Sequence, residues 1–578
     1  MRQRIRAFCR KNFLVTLTVL AFVWACPFAA LAQYVLPNHD ASYSKPIQTP
    51  TPLKPVLPSP QQLLWQDREQ TMFVHISPAT WQNRQLDDLS TPLSAINPSK
   101  LDVNQWIDAA ESFGAKMILF TAKHTGGFCW WQTETTEYSI KNTPYKDGKG
   151  DVLDELAKAC FARGMKLGIY IYPGDETWQS PIDSGGRTKD PAKQEGYSKA
   201  LRQQWEEVLS RYGNMLAEIW FDGGLVIPLE DVIKQYAPQA VVFQGPFADI
   251  RWVGNERGIC QYPNWYTLKE ADAKTGVATG DHSDPDGDRY MPVEIDATLL
   301  TPTQWFWNTN TTDNIRTLEQ LMDVYYTSVG RGAPLLLNSA PDTTGLIPEK
   351  DMQRYRAFGK EIRRRFGQSI AETSGQGDVV EVKLEPETQI DHVIIQEDLA
   401  FGQRVRQYAI EGLIGNEWKL ITQGTSVGQK RIERFQPMKV NAVRFRILKS
   451  SFPPIIRRFA AFNTGVGNEA TANDVKPEKN AGVLNTDGKG AFTFDLSPFI
   501  PLAEQYTIRI RQDNRLIKIR QAAVLLQGIE APSFATVLED GSVRLNITGF
   551  PDMKPESIII KGQLDKNYGY DALTIYVQ

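Results

Sequence analysis

Cysteine and histidine are scarce in this chain, with five of each in 578 residues. So few cysteines exclude a disulfide scaffold. The histidines form no H-x-x-H or H-E-x-x-H pattern and the cysteines no C-x-x-C, so no metal site is expected. Neither sign of charge is in excess: 64 Lys and Arg stand against 67 Asp and Glu, a net charge of −3. Without a basic stripe the chain is not expected to bind nucleic acid. Beyond the first thirty residues no apolar run is long enough to span a membrane, which takes about 20 residues. No G-x-G-x-x-G follows the first strand, which argues against a dinucleotide fold. What the chain does have is aromatic: 14 Trp, 20 Tyr and 26 Phe exclude disorder over most of its length.

The amino terminus reads as an address. Arg2, Arg4, Arg6, Arg10 and Lys11 precede an apolar run from Phe13 to about Trp24, and small residues end in Ala30-Leu31-Ala32 before Gln33. This is the order of a secretory signal peptide, residues 1–32, so an exported protein is expected, periplasmic or extracellular. A lipid anchor at Cys26 is disfavoured by Trp24, which fits such a cleavage site poorly. Cys9 and Cys26 leave with the signal, and Cys129, Cys160 and Cys260 are read as buried thiols, with one adventitious pair as the alternative. Residues 33–62 hold seven prolines and read as an extended leader.

From 63 to 370 short apolar runs alternate with amphipathic helices. The runs are Thr71–Ser77, Lys116–Ala122, Lys166–Tyr172, Leu216–Asp222, Ala240–Gln244 and Pro334–Ser339. Helical periods fall at Val103–Phe113, Asp151–Arg163, Tyr197–Tyr212 and Ile315–Ser328, with Asp151 as a cap. This α/β alternation predicts a parallel sheet with crossover helices. Six runs suit a (β/α)8-like barrel with two weak strands unseen; an open doubly wound sheet is the second choice. After Ser374 the helical period ends. Residues 375–465 and 490–578 carry short alternating strands and are read as two all-β modules, β-sandwiches, joined by a polar linker at 465–490.

In a parallel barrel the active site lies at the carboxyl ends of the strands. His75 ends the first run, His124-Thr125-Gly126-Gly127-Phe128-Cys129-Trp130-Trp131 follows the second, Tyr170 and Tyr172 close the third, and Asp222-Gly223-Gly224 follows the fourth. Arg251-Trp252-Val253-Gly254-Asn255-Glu256 follows the fifth. Aromatic faces with His and carboxylates suit a sugar site. Asp222 and Glu256 come from neighbouring strand ends and suit the nucleophile and the acid/base of a glycosidase. Trp252 offers an apolar wall that would raise the Glu256 pKa. The stretch Asp281–Asp288 has the composition of a calcium loop, but Pro285 and the missing distal Glu break that pattern, and it is read as an acidic loop.

These segments together resemble the retaining α-L-fucosidase family of glycoside hydrolases over about residues 60–370. The resemblance is carried by KHTGGFCWWQTETTEYSIK (Lys123–Lys141), EIWFDGG (Glu218–Gly224), RWVGNERG (Arg251–Gly258), YMPVEIDA (Tyr290–Ala297) and GRGAPLLLNSAPD (Gly330–Asp342). It implies Asp222 as nucleophile and Glu256 as acid/base, as in the branch with a Gly-Asn-Glu motif that prefers α-1,3/1,4-linked fucose. His75, His124, Trp131 and Tyr170 would line the fucose pocket. Glu294 lies in a family-like motif near a strand end; it is the rival acid/base and otherwise a substrate-binding residue. Thr125 stands where many relatives have a second His. No cofactor is implied, and the partner would be a fucosylated oligosaccharide or glycoconjugate. Residues 375–465 resemble a discoidin-like galactose-binding module through Tyr408–Gly412, Trp418 and Gly428–Ile432. Two rival functions stay open: a barrel glycosidase for another sugar such as galactose, and a non-catalytic carbohydrate-binding protein.

Overall fold

The computed structural model describes residues 55–274, 278–301, 303–310 and 313–467, and beyond them the segments 479–487, 491–495, 505–512, 515–526, 529–531, 535–537, 542–546, 558–564 and 573–577. The signal-peptide reading, most of the Pro-rich leader, His39, Cys9 and Cys26 lie outside the described residues.

Ten strands belong to the first part of the chain: β1 Gln70–Val74, β2 Met117–Lys123, β3 Lys166–Ile171, β4 Leu216–Trp220, β5 Val241–Phe243, β6 Arg251–Trp252, β7 Thr267–Leu268, β8 Arg289–Tyr290, β9 Val293–Thr298 and β10 Leu335–Ser339. Eight form one parallel sheet in the order β5-β4-β3-β2-β1-β10-β9-β6. Its two edges meet at a bridge between Phe243 and Ile250, so the sheet is a nearly closed barrel. β7 and β8 form a separate antiparallel pair. The helices are α1 Pro60–Gln66, α2 Ala79–Gln82, α3 Val103–Phe113, α4 Val152–Arg163, α5 Gln194–Tyr212, α6 Glu230–Tyr236, α7 Leu318–Thr327 and α8 Glu349–Phe366.

Local chemistry sets these boundaries. Asp102 and Asp151 accept backbone N–H bonds at the starts of α3 and α4, and left-handed Gly114 and Gly164 end them. Ser59 and Gln62 form a capping box with Pro60 in the first turn, so α1 begins inside the stretch read as leader. The six apolar runs are strands because both their faces are buried. Their outward residues, such as Val74, Phe120 and Ile169, pack under the helices, while Phe73, Leu119, Tyr170, Trp220 and Phe243 fill the barrel. The two strands without an apolar run are β6 and β9. β6 has two residues, one of them buried Arg251; β9 turns Val293, Ile295 and Ala297 outward and sets Glu294 and Asp296 on the other face.

A six-stranded antiparallel sheet follows: β11 Ala371–Gln376, β12 Val379–Glu397, β13 Val405–Ile414, β14 Glu417–Gly424, β15 Arg431–Ser450 and β16 Ile455–Phe462, ordered β11-β16-β12-β15-β13-β14. It wraps its own apolar core around Val393, Tyr408, Val443, Phe445 and Phe459. Its joint with the barrel is both apolar and polar: Ile394, Ile432, Ala460 and Phe462 join the barrel's core cluster, and charged groups pair around them. Lys430 pairs with Glu69 at 2.6 Å and Arg457 with Asp67 at 2.8 Å. Arg431 lies 4.0 Å over the Tyr262 ring, and buried His392 meets the Tyr326 hydroxyl at 2.9 Å.

The last strands are β17 Lys479–Leu484, β18 Ala491–Asp495, β19 Gln505–Gln512, β20 Arg515–Ile517, β21 Ile519–Leu526, β22 Ile529–Ala531, β23 Ala535–Val537, β24 Val543–Asn546, β25 Ile558–Leu564 and β26 Leu573–Val577. They form two antiparallel sheets, β17-β26-β19-β24-β23 with β20 on β19, and β18-β25-β21-β22. Ile508, Ile510 and Ile575 of one sheet share a core with Phe492, Ile560 and Leu564 of the other. No helix among the described residues is long and apolar enough to cross a membrane.

Candidate active site

A cavity of about 310 Å³ opens at the carboxyl ends of the barrel strands. Phe73 and His75 reach it from β1, His124 from just past β2, Tyr170 from β3, Trp220 and Asp222 from β4, Gln244 from past β5, Trp252 and Glu256 from β6 and the loop after it, and Asp296 from β9. Asp183, Thr279 and Trp305 complete the wall from loops.

Each polar group is fixed from behind. The Asn338 amide donates to the Trp305 carbonyl at 2.8 Å, which turns its oxygen toward His75 Nδ1 at 2.7 Å. His75 Nδ1 therefore carries the proton, and Nε2 is left as an acceptor. Burial drives the His75 pKa well below its ordinary value, and the neighbouring His124 adds to this. His124 stacks on Tyr170 with centroids 5.6 Å apart and contacts Thr125 Oγ1 at 3.2 Å; burial takes its pKa down to about 3. Both rings are neutral at physiological pH and can exchange hydrogen bonds with sugar hydroxyls. The Tyr170 hydroxyl donates to Asp222 Oδ2 at 3.1 Å.

Four carboxyl groups line the cavity, and no Lys or Arg is among the residues that line it. Asp222 stands open to the well, yet protein walls crowd it from every other side. That desolvation raises its pKa to about 6 against the Tyr170 hydrogen bond, and the charges of Asp183 and Glu256 push the same way. Partial burial also raises Glu256, opposed by a hydrogen bond from Trp305. Asp296 is buried, accepts the Trp252 indole N–H on Oδ1 at 2.9 Å, and rises to about 8, first through burial. The loop after Asp222 is tied back by Gly223 N–H donating to Gln244 Oε1 at 3.2 Å, with Gly223 at φ +80°.

Behind the wall, Lys123 and Asp175 form a fully buried ion pair at 3.0 Å. Lys123 also donates to Gln204 Oε1 at 3.1 Å, so the ends of β2 and β3 are locked to α5. Gly127, at φ +94°, passes so close to Asp175 that a methyl group there would collide with the carboxylate.

Of the residues singled out in the sequence, Asp222, Glu256, His75, His124, Tyr170 and Trp252 line this cavity. Trp131 does not: it is buried and donates its indole N–H to Glu207 on α5 at 2.9 Å, on the helix side of the wall. Glu294 does not line it either. It lies one layer deeper, 1% exposed, and accepts the Trp220 indole N–H at 2.8 Å. That position removes Glu294 as a group able to meet a leaving-group oxygen. Sequence reasoning missed Asp296, Asp183 and Trp305. Asp296 had a signal, since it lies two residues beyond Glu294 on the same inward face of β9. In the acidic stretch 281–288, Asp284 pairs with Lys269 at 3.5 Å and Asp288 accepts the Glu270 N–H. Among the described residues no group of His, Cys, Asp and Glu is arranged to hold a metal, and Cys129, Cys160 and Cys260 are buried free thiols.

A sequence profile described as Alpha-L-fucosidase matches residues 65–365. The chain belongs to the alpha-L-fucosidase family. It is a glycoside hydrolase, with the barrel and its cavity inside the matched stretch. Alpha-L-fucosidase 1 of Arabidopsis thaliana is 31% identical over 461 residues, 71% of this chain and 87% of that protein. A putative alpha-L-fucosidase crystal structure from Bacteroides thetaiotaomicron is 31% identical and superposes with a TM-score of 0.66, covering 71% of this chain and all of the other. A Ruminococcus gnavus fucosidase, solved in complex with fucose, is 25% identical with a TM-score of 0.63 over 73% of this chain and 98% of the other.

Proposed function

We propose that this fucosidase is exo-acting and retaining, with Asp222 as nucleophile and Glu256 as general acid/base. The observation that carries the reading is that both carboxyl groups open into one cavity. Its volume of about 310 Å³ is at the low end of ligand sites and suits one terminal sugar. Phe73, Trp220 and Trp305 give that sugar apolar walls, as the methyl group of fucose requires, and His75 and His124 face its hydroxyls.

The protonation states support the division of labour. With its pKa near 6, Asp222 is an anion at neutral pH and attacks the anomeric carbon while Tyr170 holds its second oxygen. Glu256, raised by burial, is poised to deliver a proton to the departing oxygen. The same carboxylate then activates water to release fucose from the ester on Asp222 with net retention. The Gly-Asn-Glu loop supports α-1,3/1,4 linkages on branched glycans. The test is fucose release by the protein from an aryl α-L-fucoside and from α-1,2-, α-1,3- and α-1,4-fucosylated oligosaccharides, with NMR of the first-formed anomer. Among the oligosaccharides, release confined to the α-1,3 and α-1,4 linkages, as the α-anomer, is expected; the β-anomer would overturn retention, and equal cleavage of all linkages would overturn the branch.

The same reading takes residues 1–32 as an export signal, 63–370 as the catalytic unit, 375–465 as a discoidin-like module and 490–578 as a further β module. Gln429, Lys430 and Arg431, which carry part of the discoidin resemblance, face the barrel: Gln429 N donates to the Tyr266 hydroxyl, Lys430 pairs with Glu69 and Arg431 covers Tyr262. Their use in the joint supports bracing of the barrel over sugar capture.

A further inference from the structure

Below the cavity, the interior of the barrel holds two carboxyl groups that the reaction does not use. β4 sends Glu218 and Trp220 inward, Asp222 follows two residues past its end, and β9 sends Glu294 and Asp296 inward. Glu218 is 0% exposed and Glu294 1%. Each accepts one indole N–H: Trp65 of α1 donates to Glu218 Oε2 at 2.8 Å, and Trp220 donates to Glu294 Oε2 at 2.8 Å. The remaining oxygen of each, Oε1, has no donor from any other group. The two carboxyl groups are within hydrogen-bonding reach of one another. Two anions so placed in a dry interior would be untenable; one proton between the two bare oxygens satisfies both.

We propose that Glu218 and Glu294 hold a single proton between them, and that this pair positions Trp220 as the floor of the substrate cavity. Glu294 is then a positioning residue acting through Trp220; this second half rests on the cavity being the active site, whereas the shared proton does not. The neighbours decide which oxygen carries it. Arg68, at the mouth of the barrel below Glu218, favours the anion there, while Asp296, one layer above Glu294, disfavours a second charge there. The proton therefore resides on Glu294 and the charge on Glu218. Burial raises both groups, Glu218 to about 7 and Glu294 well above its ordinary value. The indole that Glu294 holds is set among rings. Trp220 stacks on Phe243 at 4.0 Å between centroids and 4° between planes, and on Tyr170 at 5.4 Å, whose hydroxyl bonds Asp222. A tilt of Trp220 would reach both the cavity floor and the nucleophile's partner.

The experiment uses the full chain and three variants, Glu294→Gln, Glu218→Gln and Glu294→Ala. Glutamine keeps an acceptor for the indole and donates an N–H where the proton was. For groups whose folded pKa is raised, stability is fully present below the unfolded value and is lost as pH rises through the folded one. The wild type should therefore lose Tm between pH 6 and 9, and Glu294→Gln should lose roughly 2–4 °C less over that span. Glu218→Gln should show the same flattening, which keeps the test alive if one variant does not fold. On an aryl α-L-fucoside, Glu294→Ala should lower kcat/KM about tenfold, mainly through KM, and Glu294→Gln should restore most of it. A Tm slope in both glutamine variants identical to wild type would overturn the shared proton. An unchanged kcat/KM in Glu294→Ala would overturn the positioning role. Loss of turnover in Glu294→Gln as deep as in Asp222→Asn would instead make Glu294 the acid/base, overturning both this role and the assignment of Glu256.

Discussion

Glu218 points into the barrel from β4 and Asp222 follows just past the end of that strand, while Glu294 and Asp296 share the inward face of β9. The lower pair is sealed among Trp65, Trp220 and the barrel floor; the upper pair opens into the cavity. All four are carboxylic acids, and all four have raised pKa values with burial as the first cause. Depth separates them. A carboxyl with a path to the cavity can meet a sugar, whereas one enclosed by indoles can only hold neighbouring side chains in place. A perturbed pKa therefore marks candidates in this barrel without ranking them, and access does the ranking.

The comparison breaks if chemistry resides in the lower layer, and the largest expected effect tests this. Asp222→Asn should cut kcat on any fucoside by at least about 10³-fold with the fold retained, as loss of a nucleophile does. Glu256→Gln should cost about 10²–10⁴-fold on oligosaccharides and less on an aryl fucoside, whose leaving group needs little protonation. Glu218→Gln, one layer down, should leave activity well above both. Steady-state kinetics of the three on one aryl and one natural substrate checks the order.

A third environment sharpens the contrast. Asp175 is as buried as Glu218 but has a cation, Lys123, at 3.0 Å. The attraction of Asp175, together with Tyr197, outweighs burial and holds the Lys123 ammonium above its usual range. Lys123→Met would strand the Asp175 carboxylate and should destabilise the barrel by about 3–5 kcal/mol in denaturant unfolding. Removing Glu294 leaves a Glu218 carboxyl that burial already raises to about 7, so it can take up a proton of its own, and the loss should cost less.

The same physics explains what the sequence made legible. Strands β1 to β5 and β10 could be read because both faces are buried in apolar surroundings, α3 because its apolar residues recur with the helical period, and α4 because Asp151 caps it as well. β6 and β9 could not, because the barrel interior there is lined by Trp252, Glu294 and Asp296, so neither reads as an apolar run. At the site, Asp222, Glu256, His75, His124, Tyr170 and Trp252 stand at or near strand ends, where position along the run predicts exposure to the cavity. Trp131 misled because its direction is set by Glu207, far along the chain on α5. Glu294 misled because nothing local says how many inward layers lie below the cavity. Trp305 was out of reach, since the loop that carries it is placed by Gln85, whose side chain accepts the Trp305 N–H at 2.7 Å.

The smallest expected effect concerns Asp296, the upper-layer acid that is nearly as enclosed as the lower pair. On the acid side, kcat/KM should fall as pH drops through about 6, where Asp222 takes up a proton. On the alkaline side, Asp296 ionises near pH 8 and places another negative charge beside Glu256 and Asp222. Its folded pKa lies above the unfolded carboxylate value of about 3.9, so its contribution to stability is present at low pH and lost as pH rises through about 8. Asp296→Asn keeps an acceptor for the Trp252 indole and removes that ionisation. The variant should lose less Tm than wild type between pH 7 and 9, and its kcat/KM should decline less steeply over the same span, while the acid limb stays near 6. Parallel pH profiles of the two proteins decide the matter. An alkaline limb unmoved by the substitution would assign that limb to Glu256 alone and would place Asp296 with the enclosed pair below it.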